Sequence, residues 1–403
     1  MQDPERSRRP ETEVDVARMH VQRRDRLRAK LREIGCAGGL FYDPTNIRYA
    51  TGTSNMQVYS LHNPCRYVFV ATDGPVVLFD FKGCGHLSAD YPAVDESRNA
   101  VSWYHFVSGD NVGRNAARWA DEIEALVRAH GGGDRRIAVD RLDPPGLRAL
   151  EQRNIEVIDG QRPINLARLI KTPDELVALR EAVGVCEDGM RRMQAACQPG
   201  LTEMALWAHL HYVNIEQGGE WIHTRLLSSG PRTNPWYQEA SARPIGNGDL
   251  VAFDTDLIGP LGYSADISRS WVAGDRPPSD EQRRVYEAAY LQIQENIALF
   301  QVGTTFREIG ERARPVPERY VAQQIPCVAH GVGLCNEYPL IMYENWYEAG
   351  GADGVIEPNM VFCVESYMGE IGGGVGVKLE EQILITSDGP QPLSRYPFME
   401  QML

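Results

Sequence analysis

The chain has 403 residues, 43% hydrophobic and 24% charged, which is long enough for two domains and typical of globular rather than disordered or collagen-like proteins. Its net charge of −14 disfavours nucleic acid as a partner, since no local basic patch offsets it. No run of about 18 apolar residues predicts a membrane span, and the start does not resemble a signal peptide, so we expect a cytoplasmic protein with no membrane partner.

The cysteine pattern is that of reduced thiols in an intracellular enzyme. Eight cysteines are scattered without a CxxC pair, so neither disulfides nor a zinc ribbon are expected. The Arg-rich start, Met1 to Arg32, alternates with acids and predicts a solvated tail and helix face.

The first half of the chain mixes strands and helices. Helical spacing covers Val21 to Ile34, and residues 65–81 pair two apolar runs across a DGP turn. Residues 135–150 predict a strand followed by a helix that begins at proline. We therefore expect an α/β domain that ends near the turn-forming segment Asp159 to Pro163.

The second half begins with a long helical stretch. It runs from Leu166 to Met193, and Thr172 before Pro173 marks a helix start within it. Amphipathic helices are predicted at about Glu203 to Gln217 and Asp280 to Phe300, alternating with Val-, Ile- and Phe-rich strands.

Three aspartates mark a predicted hairpin in residues 250–272. Asp254 and Asp256 follow an apolar run, a GPLG turn comes next, and Asp266 lies on the return strand. Strand alternation would point the first two the same way and bring the third beside them. Clustered carboxylates raise one another's pKa unless a cation holds them ionised, so this pattern favours a metal site.

Three further candidate ligands follow. Glu365 ends an apolar strand, and one residue of the Glu380 and Glu381 pair must face inward because neighbours in a strand alternate. His330 precedes a glycine-rich segment in which the backbone can approach a ligand closely. Each residue alone also suits an ordinary structural role, but their joint order favours a metal site. Carboxylate-rich ligation with one imidazole favours manganese, iron or cobalt over a thiolate-type zinc site.

This order of motifs resembles the creatinase, prolidase and aminopeptidase P superfamily over nearly the whole chain. The resemblance implies a creatinase-like α/β amino-terminal domain, residues 1–162, and an α+β pita-bread catalytic domain, residues 163–403. It also implies metal ligation by the hairpin aspartates, the histidine of the HG pair, the glutamate after MVF and a last glutamate: Asp254, Asp266, His330, Glu365 and Glu380.

Departures from the peptidase pattern are found around this site. Asp256 stands where peptidases usually have glycine, and Lys378 where arginine is usual. The two proton-shuttling histidines of the peptidases are replaced by Glu337 and Tyr237. Ordinary prolidase activity is therefore not expected.

The same segments resemble dimethylsulfoniopropionate (DMSP) lyases of the DddP type. The shared strings are GGEWI, TRLL, SGPRTNPW, FDTDL, DISRSW and HGVGLC, with SNMQ and HNP in the first domain. The resemblance implies a homodimer in which Asp256 joins the five ligands above to hold two divalent ions, with iron first and manganese, zinc or cobalt as alternatives. It implies cleavage of a small carboxylate substrate to dimethyl sulfide and acrylate.

Two positions near the expected substrate differ from those lyases. Asn336 stands where the lyase base is an aspartate, and Ile325 where the family has a tyrosine. Proton transfer then passes to Glu337, Tyr237, His223 or a metal-bound hydroxide. Glu337 also suits a supporting role beside the ligands.

Three hypotheses remain open from the sequence. The first is a dinuclear metal lyase resembling the DMSP lyases, and the second is a metal-dependent hydrolase of an amide or Xaa-Pro-like substrate. The third is a non-catalytic binding protein on the same fold. An aromatic wall for a sulfonium or quaternary ammonium is a further hypothesis, with these candidates: Trp103, Tyr104, Trp236, Tyr237 and Tyr338.

Overall fold

The computed structural model describes residues 14–403, apart from the side chain of residue 349, and most of the predicted Arg-rich tail lies outside them. The chain forms two compact units, one ending at Arg168 and the other spanning Leu169–Leu403. We call them the amino-terminal and carboxy-terminal units. The domain boundary expected between residues 162 and 163 stays a prediction.

The amino-terminal unit is built on one mixed sheet of six strands in the order β4-β3-β2-β1-β5-β6. Strand β2 runs antiparallel to both β1 and β3, as the DGP turn predicts, whereas the outer pairs are parallel. The strands are β1 Gly38–Phe41, β2 Tyr67–Ala71, β3 Val76–Asp80, β4 Glu96–Asn99, β5 Arg136–Val139 and β6 Glu156–Asp159.

Seven helices accompany this sheet among the described residues: α1 Val16–Glu33, α2 Pro44–Thr51, α3 Gln57–His62, α4 His105–Ser108, α5 Val112–His130, α6 Pro144–Glu151 and α7 Gln161–Arg168. Helix α6 begins at Pro144 as predicted, with the Asp143 side chain capping it. Helix α1 begins five residues before the predicted Val21, because Asp15 accepts the Arg18 N–H and caps an earlier turn.

The carboxy-terminal unit contains helices α8 Pro173–Ala196, α9 Glu203–Glu216, α10 Asp280–Ile297, α11 Phe306–Arg312 and α12 Tyr347–Gly350. The helical stretch predicted from Leu166 to Met193 is divided between two helices, since α7 ends at Arg168 and α8 begins at Pro173. The predicted start at Thr172 is confirmed, because Thr172 and Glu175 form a capping box there. No helix within residues 14–403 is both long enough and apolar enough to cross a membrane.

Three antiparallel sheets complete this unit, in the orders β11-β10-β7, β12-β9-β8 and β14-β13-β15-β16-β17. Helix α10 packs on β15 and β16. The strands are β7 Trp221–Ile222, β8 Leu227–Ser229, β9 Leu250–Phe253, β10 Leu257–Ile258, β11 Ser264–Ala265, β12 Arg269–Val272, β13 Cys327–Val332, β14 Asn336–Met342, β15 Val361–Gly369, β16 Gly376–Thr386 and β17 Gly389–Pro392.

Candidate metal centre

The three aspartates lie where the predicted hairpin is interrupted. Strand β9 ends at Phe253 and β10 begins at Leu257, and the backbone of Asp256 has a φ of 37°. Aspartate is one of the few residues other than glycine that tolerate this left-handed region. The predicted hairpin is confirmed but interrupted: β9 pairs with β12 and β10 pairs with β11 in the same antiparallel register, with residues 254–256 unpaired between them.

The Thr255 hydroxyl holds the two sides of this interruption together. It accepts the Ile267 N–H at 2.9 Å and donates to the Ala265 carbonyl at 3.1 Å. Asp266 lies between these two partners, and its carboxylate accepts the Asp256 N–H at 3.3 Å. Asp254, Asp256 and Asp266 consequently place carboxylate oxygens within 4.8 Å of one another. Their proximity is as predicted, although it arises from a break in the ladder.

The remaining candidate ligands come from three neighbouring strands. Glu365 in β15 lies opposite Glu380 in β16, and His330 in β13 lies opposite Cys363 in β15. The His330 Nε2 atom is 3.4 Å from Glu380 Oε1 and 3.7 Å from Asp266 Oδ2. The glycine after the histidine is required sterically, because a Cβ on Gly331 would lie 2.5 Å from the Tyr338 carbonyl oxygen.

The neighbouring residues Glu380 and Glu381 take separate roles. Their side chains face opposite sides of β16, as alternation predicts, and Glu380 is the one that joins the acid cluster. Glu381 is also buried, where Arg269 donates to it at 2.6 Å. Only Glu380 is therefore a candidate ligand.

The Lys378 ammonium lies among three of the acids. Its Nζ atom is 2.7 Å from Glu380, 3.0 Å from Glu365 and 3.2 Å from Asp254, and the side chain is 1% exposed. The hydroxyl of Ser268 is 3.1 Å away. Lys378 therefore supplies one positive charge to a buried group of five carboxylates.

This ammonium favours ionisation of Asp254 and Glu365. Burial raises the pKa of both, but the charge of Lys378 together with neighbouring charges and hydrogen bonds outweighs burial and lowers both below their usual values. The three carboxylates in turn raise the pKa of Lys378 well above its usual value, against the effect of burial. The four groups form a charged network in which the lysine stays protonated.

The other acids lack a sufficient counter-charge. Burial and the Asp254 carboxylate raise the pKa of Asp256 and raise that of Glu380 to about 7. Burial and nearby carboxylates also raise the pKa of Asp266 well above its usual value. One ammonium among five acids is too little positive charge to hold all of them ionised.

The donor set fits divalent cations. Glu380 Oε1 and Asp254 Oδ1 are buried oxygens without a hydrogen-bond partner among the described residues. Buried carboxylate oxygens normally have such partners or coordinate metals. A divalent cation would satisfy both and would reverse the raised pKa values of the remaining acids.

A cavity of about 200 Å³ has Tyr367 in its wall, two residues after Glu365 in β15. Tyr237 also lines it, and burial and then the charge of the Glu365 carboxylate raise the pKa of its hydroxyl. The ring of Trp236 lies 5.9 Å from that of Tyr367, with both centroids in the cavity wall. The lining residues are Pro235, Trp236, Tyr237, Gln323, Gln324, Ile325, Pro326 and Tyr367.

The other residues proposed for an aromatic wall have separate partners. In the amino-terminal unit, Trp103 donates from Nε1 to Asp143 at 2.6 Å, and the Tyr104 ring stacks on Phe106. In the carboxy-terminal unit, the Tyr338 hydroxyl donates to the Asp353 carbonyl at 2.7 Å. Trp236 and Tyr237 are the two proposed wall residues that line the cavity.

The remaining catalytic candidates differ in their surroundings. Glu337 is buried, accepts from Lys171 Nζ at 2.8 Å and also accepts the Leu334 N–H at 3.0 Å. Asn336 begins β14 with an exposed side chain. His223 is exposed, and its backbone N–H donates to the carbonyl of Asp256 at 3.0 Å.

Sequence reasoning missed Cys363 and gave Lys378 no role. Cys363 contributes a donor atom within 4.8 Å of those of Asp266, His330 and Glu380. Its spacing of two residues before Glu365 in one strand was an available signal, because such residues share a face. Lys378 stands two residues before Glu380 and carries the same signal. The interpretation of a mostly oxygen site omitted the thiol.

Comparisons with known proteins identify the two parts of the chain. Residues 177–387 match metallopeptidase family M24, and residues 23–170 match the creatinase/prolidase N-terminal domain. DMSP lyase DddP of Roseovarius nubinhibens is 42% identical over 95% of this chain and 87% of its own length. DddP of Roseobacter denitrificans is 40% identical with the same coverage.

Solved structures of prolidases share the fold. An Xaa-Pro dipeptidase from Bacillus anthracis has a TM-score of 0.76 at 21% identity, covering 94% of this chain and 99% of its own. The prolidase from Pyrococcus horikoshii OT3 has a TM-score of 0.75 at 20% identity, covering 95% and 100%. The predicted creatinase-like α/β domain and pita-bread catalytic domain are thereby confirmed.

A metallopeptidase family implies divalent metal ions, and the cluster described above contains groups that can bind them. Both the DddP relatives and the prolidase-type relatives are enzymes by name. The chain therefore belongs to metallopeptidase family M24 and is an enzyme, either a lyase or a metallohydrolase.

Proposed function

We propose that this enzyme is a metal-dependent lyase acting on a small carboxylate that carries a good leaving group on its β-carbon, with DMSP as the first substrate to test. The observation that supports the proposal is the close grouping of Asp254, Asp256, Asp266, His330 and Glu380, with Glu365 joined to it through Lys378, in a chain 42% identical to DddP. In the reaction, a proton leaves the carbon next to the carboxylate. The β-carbon–sulfur bond breaks with its electron pair on sulfur, giving dimethyl sulfide and acrylate.

The proposed ligands of two divalent ions are Asp254, Asp256, Asp266, His330, Glu365 and Glu380, and iron is the first metal to test, with manganese, zinc and cobalt as alternatives. Bound there, such ions supply Lewis acidity toward the oxygens of a substrate carboxylate. The unpartnered oxygens of Asp254 and Glu380 support this assignment. Thr224 donates to Asp256 at 2.7 Å and orients that carboxylate in the cluster.

We assign the proton acceptor to His223. Histidine is the commonest general base in enzymes, and the His223 backbone N–H donates to the Asp256 carbonyl at 3.0 Å. Glu337 is committed to Lys171, and the Asn336 amide is not a base. Burial and Glu365 raise the pKa of Tyr237, so its hydroxyl stays protonated and suits hydrogen-bond donation to the substrate.

The cavity beside the cluster suits the sulfonium end of the substrate. The Trp236 and Tyr237 rings line it, and aromatic faces attract organic cations. Ile325 adds an apolar wall for the methyl groups. The carboxylate end would then point toward the acid cluster, where the proposed ions lie.

Hydrolysis of an amide or Xaa-Pro-like substrate is the second candidate. Membership of family M24 favours it, because that family is named for peptidases. Against it, Glu337 and Tyr237 replace the two histidines that peptidases use to transfer protons, and Lys171 holds Glu337 in an ion pair. A non-catalytic role fits less well, since a binding protein has no need of the costly cluster of buried acids.

The test uses full-length protein loaded with iron or manganese, its metal content verified by elemental analysis. Dimethyl sulfide in the headspace and acrylate in solution are measured from the same tube of DMSP, with chelator-treated protein as control. We expect equal amounts of both products. If protein holding two metal equivalents releases neither, DMSP is not the substrate, and a parallel assay with Xaa-Pro dipeptides tests the hydrolase.

A homodimer, which the DddP-type resemblance implies, and a cytoplasmic location, which the sequence pattern suggests, complete the proposal. Light scattering on the eluting protein measures the mass in solution. We expect twice the chain mass of 45.1 kDa, and a single-chain mass would contradict the dimer.

A further inference from the structure

Cys363 occupies the middle of the strand that carries Glu365. The two residues are separated by one position in β15, so their side chains point to the same face of the sheet. In the pairing of β15 with β13, Cys363 lies directly opposite His330. Directly opposed residues on one face of an antiparallel pair have Cβ atoms roughly 5 Å apart. The sheet therefore fixes the thiol beside the imidazole.

The thiol belongs to a four-residue cluster. Donor atoms of Asp266, His330, Cys363 and Glu380 all lie within 4.8 Å of one another, and all four residues are buried. Cys363 itself has no exposed surface. A second observation points to a ligand here, because Glu380 Oε1 is buried and has no hydrogen-bond partner in residues 14–403. A cation bound by these groups would satisfy that oxygen.

The geometry points to Cys363 as a sulfur ligand of one of the two ions in the proposed metal centre. That ion would then have one thiolate, one imidazole and two carboxylates as protein donors. When the ion binds, the Sγ–H bond breaks, a bond between Sγ and the metal forms, and the proton leaves to solvent. The inference rests on the proposed metal centre and adds a donor of a different chemical kind.

A sulfur donor changes which metals the centre prefers. Thiolate ligands favour zinc, iron and cobalt, whereas manganese prefers carboxylate and water oxygens. The sequence-based interpretation of a mostly oxygen site placed manganese beside iron and cobalt. Manganese binds most weakly of these ions at most protein sites, and Cys363 as a ligand would widen its disadvantage against zinc, iron and cobalt.

Cobalt(II) reports sulfur ligation directly, because a thiolate bound to it gives a charge-transfer absorption band in the near ultraviolet. Full-length wild-type protein, Cys363→Ser and Cys327→Ser are each loaded with cobalt without oxygen, and cobalt content is measured by elemental analysis. Cys327 is the matched control. It is a buried thiol whose pKa is raised by burial and then by the Glu365 carboxylate, yet it lies outside the four-residue cluster.

We expect the band in wild-type protein and in Cys327→Ser, and its loss in Cys363→Ser with cobalt still bound. Wild-type protein that binds cobalt without the band would overturn the role of Cys363 and leave the metal centre intact. Wild-type protein that binds no cobalt, iron or manganese would overturn the metal centre and this inference together. A band that persists in Cys363→Ser and disappears in Cys327→Ser would show that Cys327 is the sulfur ligand and would overturn the role of Cys363.

A comparison of metal affinities gives a second measurement that does not depend on the cobalt absorption band. The affinities of wild-type protein and Cys363→Ser for zinc and for manganese are measured by titration calorimetry. We expect the serine to weaken zinc binding by about tenfold or more and to change manganese binding much less. Equal losses for the two metals would indicate damage to the whole site and would contradict sulfur ligation.

Discussion

At the residue scale, Lys378 is the side chain that makes the acid cluster tolerable without a metal. Its three carboxylate partners lie 2.7 to 3.2 Å away, and the lysine side chain itself is buried. A buried charge that loses its partner is strongly destabilising, and here one cation is shared by three acids. The lysine and the proposed divalent ions therefore both supply positive charge that stabilises the ionised carboxylates.

Replacing Lys378 by methionine removes the charge and keeps the length of the side chain. We expect the metal-free protein to lose about 3 kcal/mol or more of unfolding free energy, because Asp254, Glu365 and Glu380 lose their cation. The loss should shrink in saturating zinc. Urea unfolding with and without chelator measures both, and Lys378→Arg serves as the control that keeps the charge. Equal stability of Lys378→Met and wild type without metal would contradict this role.

Removing either His330 or Asp256 tests the proposed ligand set. We expect His330→Ala and Asp256→Ala each to lose metal loading and activity, since each removes a proposed ligand. Elemental analysis after dialysis gives the metal content. Asp388→Ala, at an exposed turn, is the control and should load as wild type does. Full metal loading in both ligand variants would refute the ligand assignment.

Asn336 marks the position of the lyase base in the DddP-type resemblance. We expect Asn336→Asp to raise dimethyl sulfide release by about tenfold or more, because a carboxylate there can accept the proton that an amide cannot. Headspace measurement on metal-loaded protein gives the rate. The exposed Asn345→Asp supplies the same change of charge elsewhere. If both variants gain nothing, the pocket has been altered more widely than at this one residue.

At the element scale, the predictable features are those set by local sequence. The start of α8 follows from Thr172, Pro173 and Glu175, and the start of α6 follows from Asp143 and Pro144. These signals act within one helical turn, so tertiary contacts do not need to be known. Five acids and His330 were found in the same way, as polar residues beside or within apolar strand sequences.

The features that could not be predicted depend on pairing between distant segments. The break between β9 and β10 includes the bonds of the Thr255 hydroxyl to Ile267 and Ala265 on the opposite side of the hairpin. The contact of Lys378 with Glu365 requires the register of β15 against β16, in which Glu365 lies opposite Glu380. A single sequence sets the faces of a strand but not the register of its neighbours.

Helix α1 contains a titrating group that the sequence did not reveal. Burial, followed by the charges of Arg23 and Arg48, lowers the pKa of His20 to about 3. Its Nδ1 atom is buried without a hydrogen-bond partner among the described residues, and its ring stacks on Tyr91. The folded state therefore binds this proton more weakly than the unfolded state does, and stability falls as the pH drops below about 6.5.

Replacing His20 by glutamine should make stability less dependent on pH. Between pH 7 and pH 5 we expect wild type to lose about 2 kcal/mol more than His20→Gln, because only wild type contains the suppressed imidazole. Urea unfolding at the two pH values measures the difference. His86→Gln, at an exposed site, should follow wild type. Parallel losses in wild type and His20→Gln would rule out His20 as the source.

At the scale of the whole molecule, all six proposed metal ligands and Cys363 belong to the carboxy-terminal unit, Leu169–Leu403. They come from segments far apart in sequence, with Asp254 before α10 and Glu380 after it. An ion that binds them joins several strands of this unit. The amino-terminal unit contributes none of these groups.

Metal binding should therefore slow amide hydrogen exchange in the carboxy-terminal unit and not in the amino-terminal unit. We expect added zinc or iron to slow amide hydrogen exchange in β9, β13, β15 and β16, since a bound ion stabilises the strands that carry its ligands. Strands β1 to β3 should exchange at unchanged rates. Mass spectrometry after exchange, with and without chelator, gives the comparison. Equal protection of both sets of strands would contradict a metal centre confined to the carboxy-terminal unit.

The interruption of the strand at Asp254, Thr255 and Asp256 bears on how such an enzyme acquires new activities. These residues lie outside the paired ladders, and their position is held by the Thr255 hydroxyl and by the strands on either side. A substitution at residue 256 can therefore change the number of charges facing the substrate without breaking a pair of backbone hydrogen bonds between strands. The φ of 37° at residue 256 restricts such substitutions to the few residue types, glycine above all, that tolerate the left-handed region.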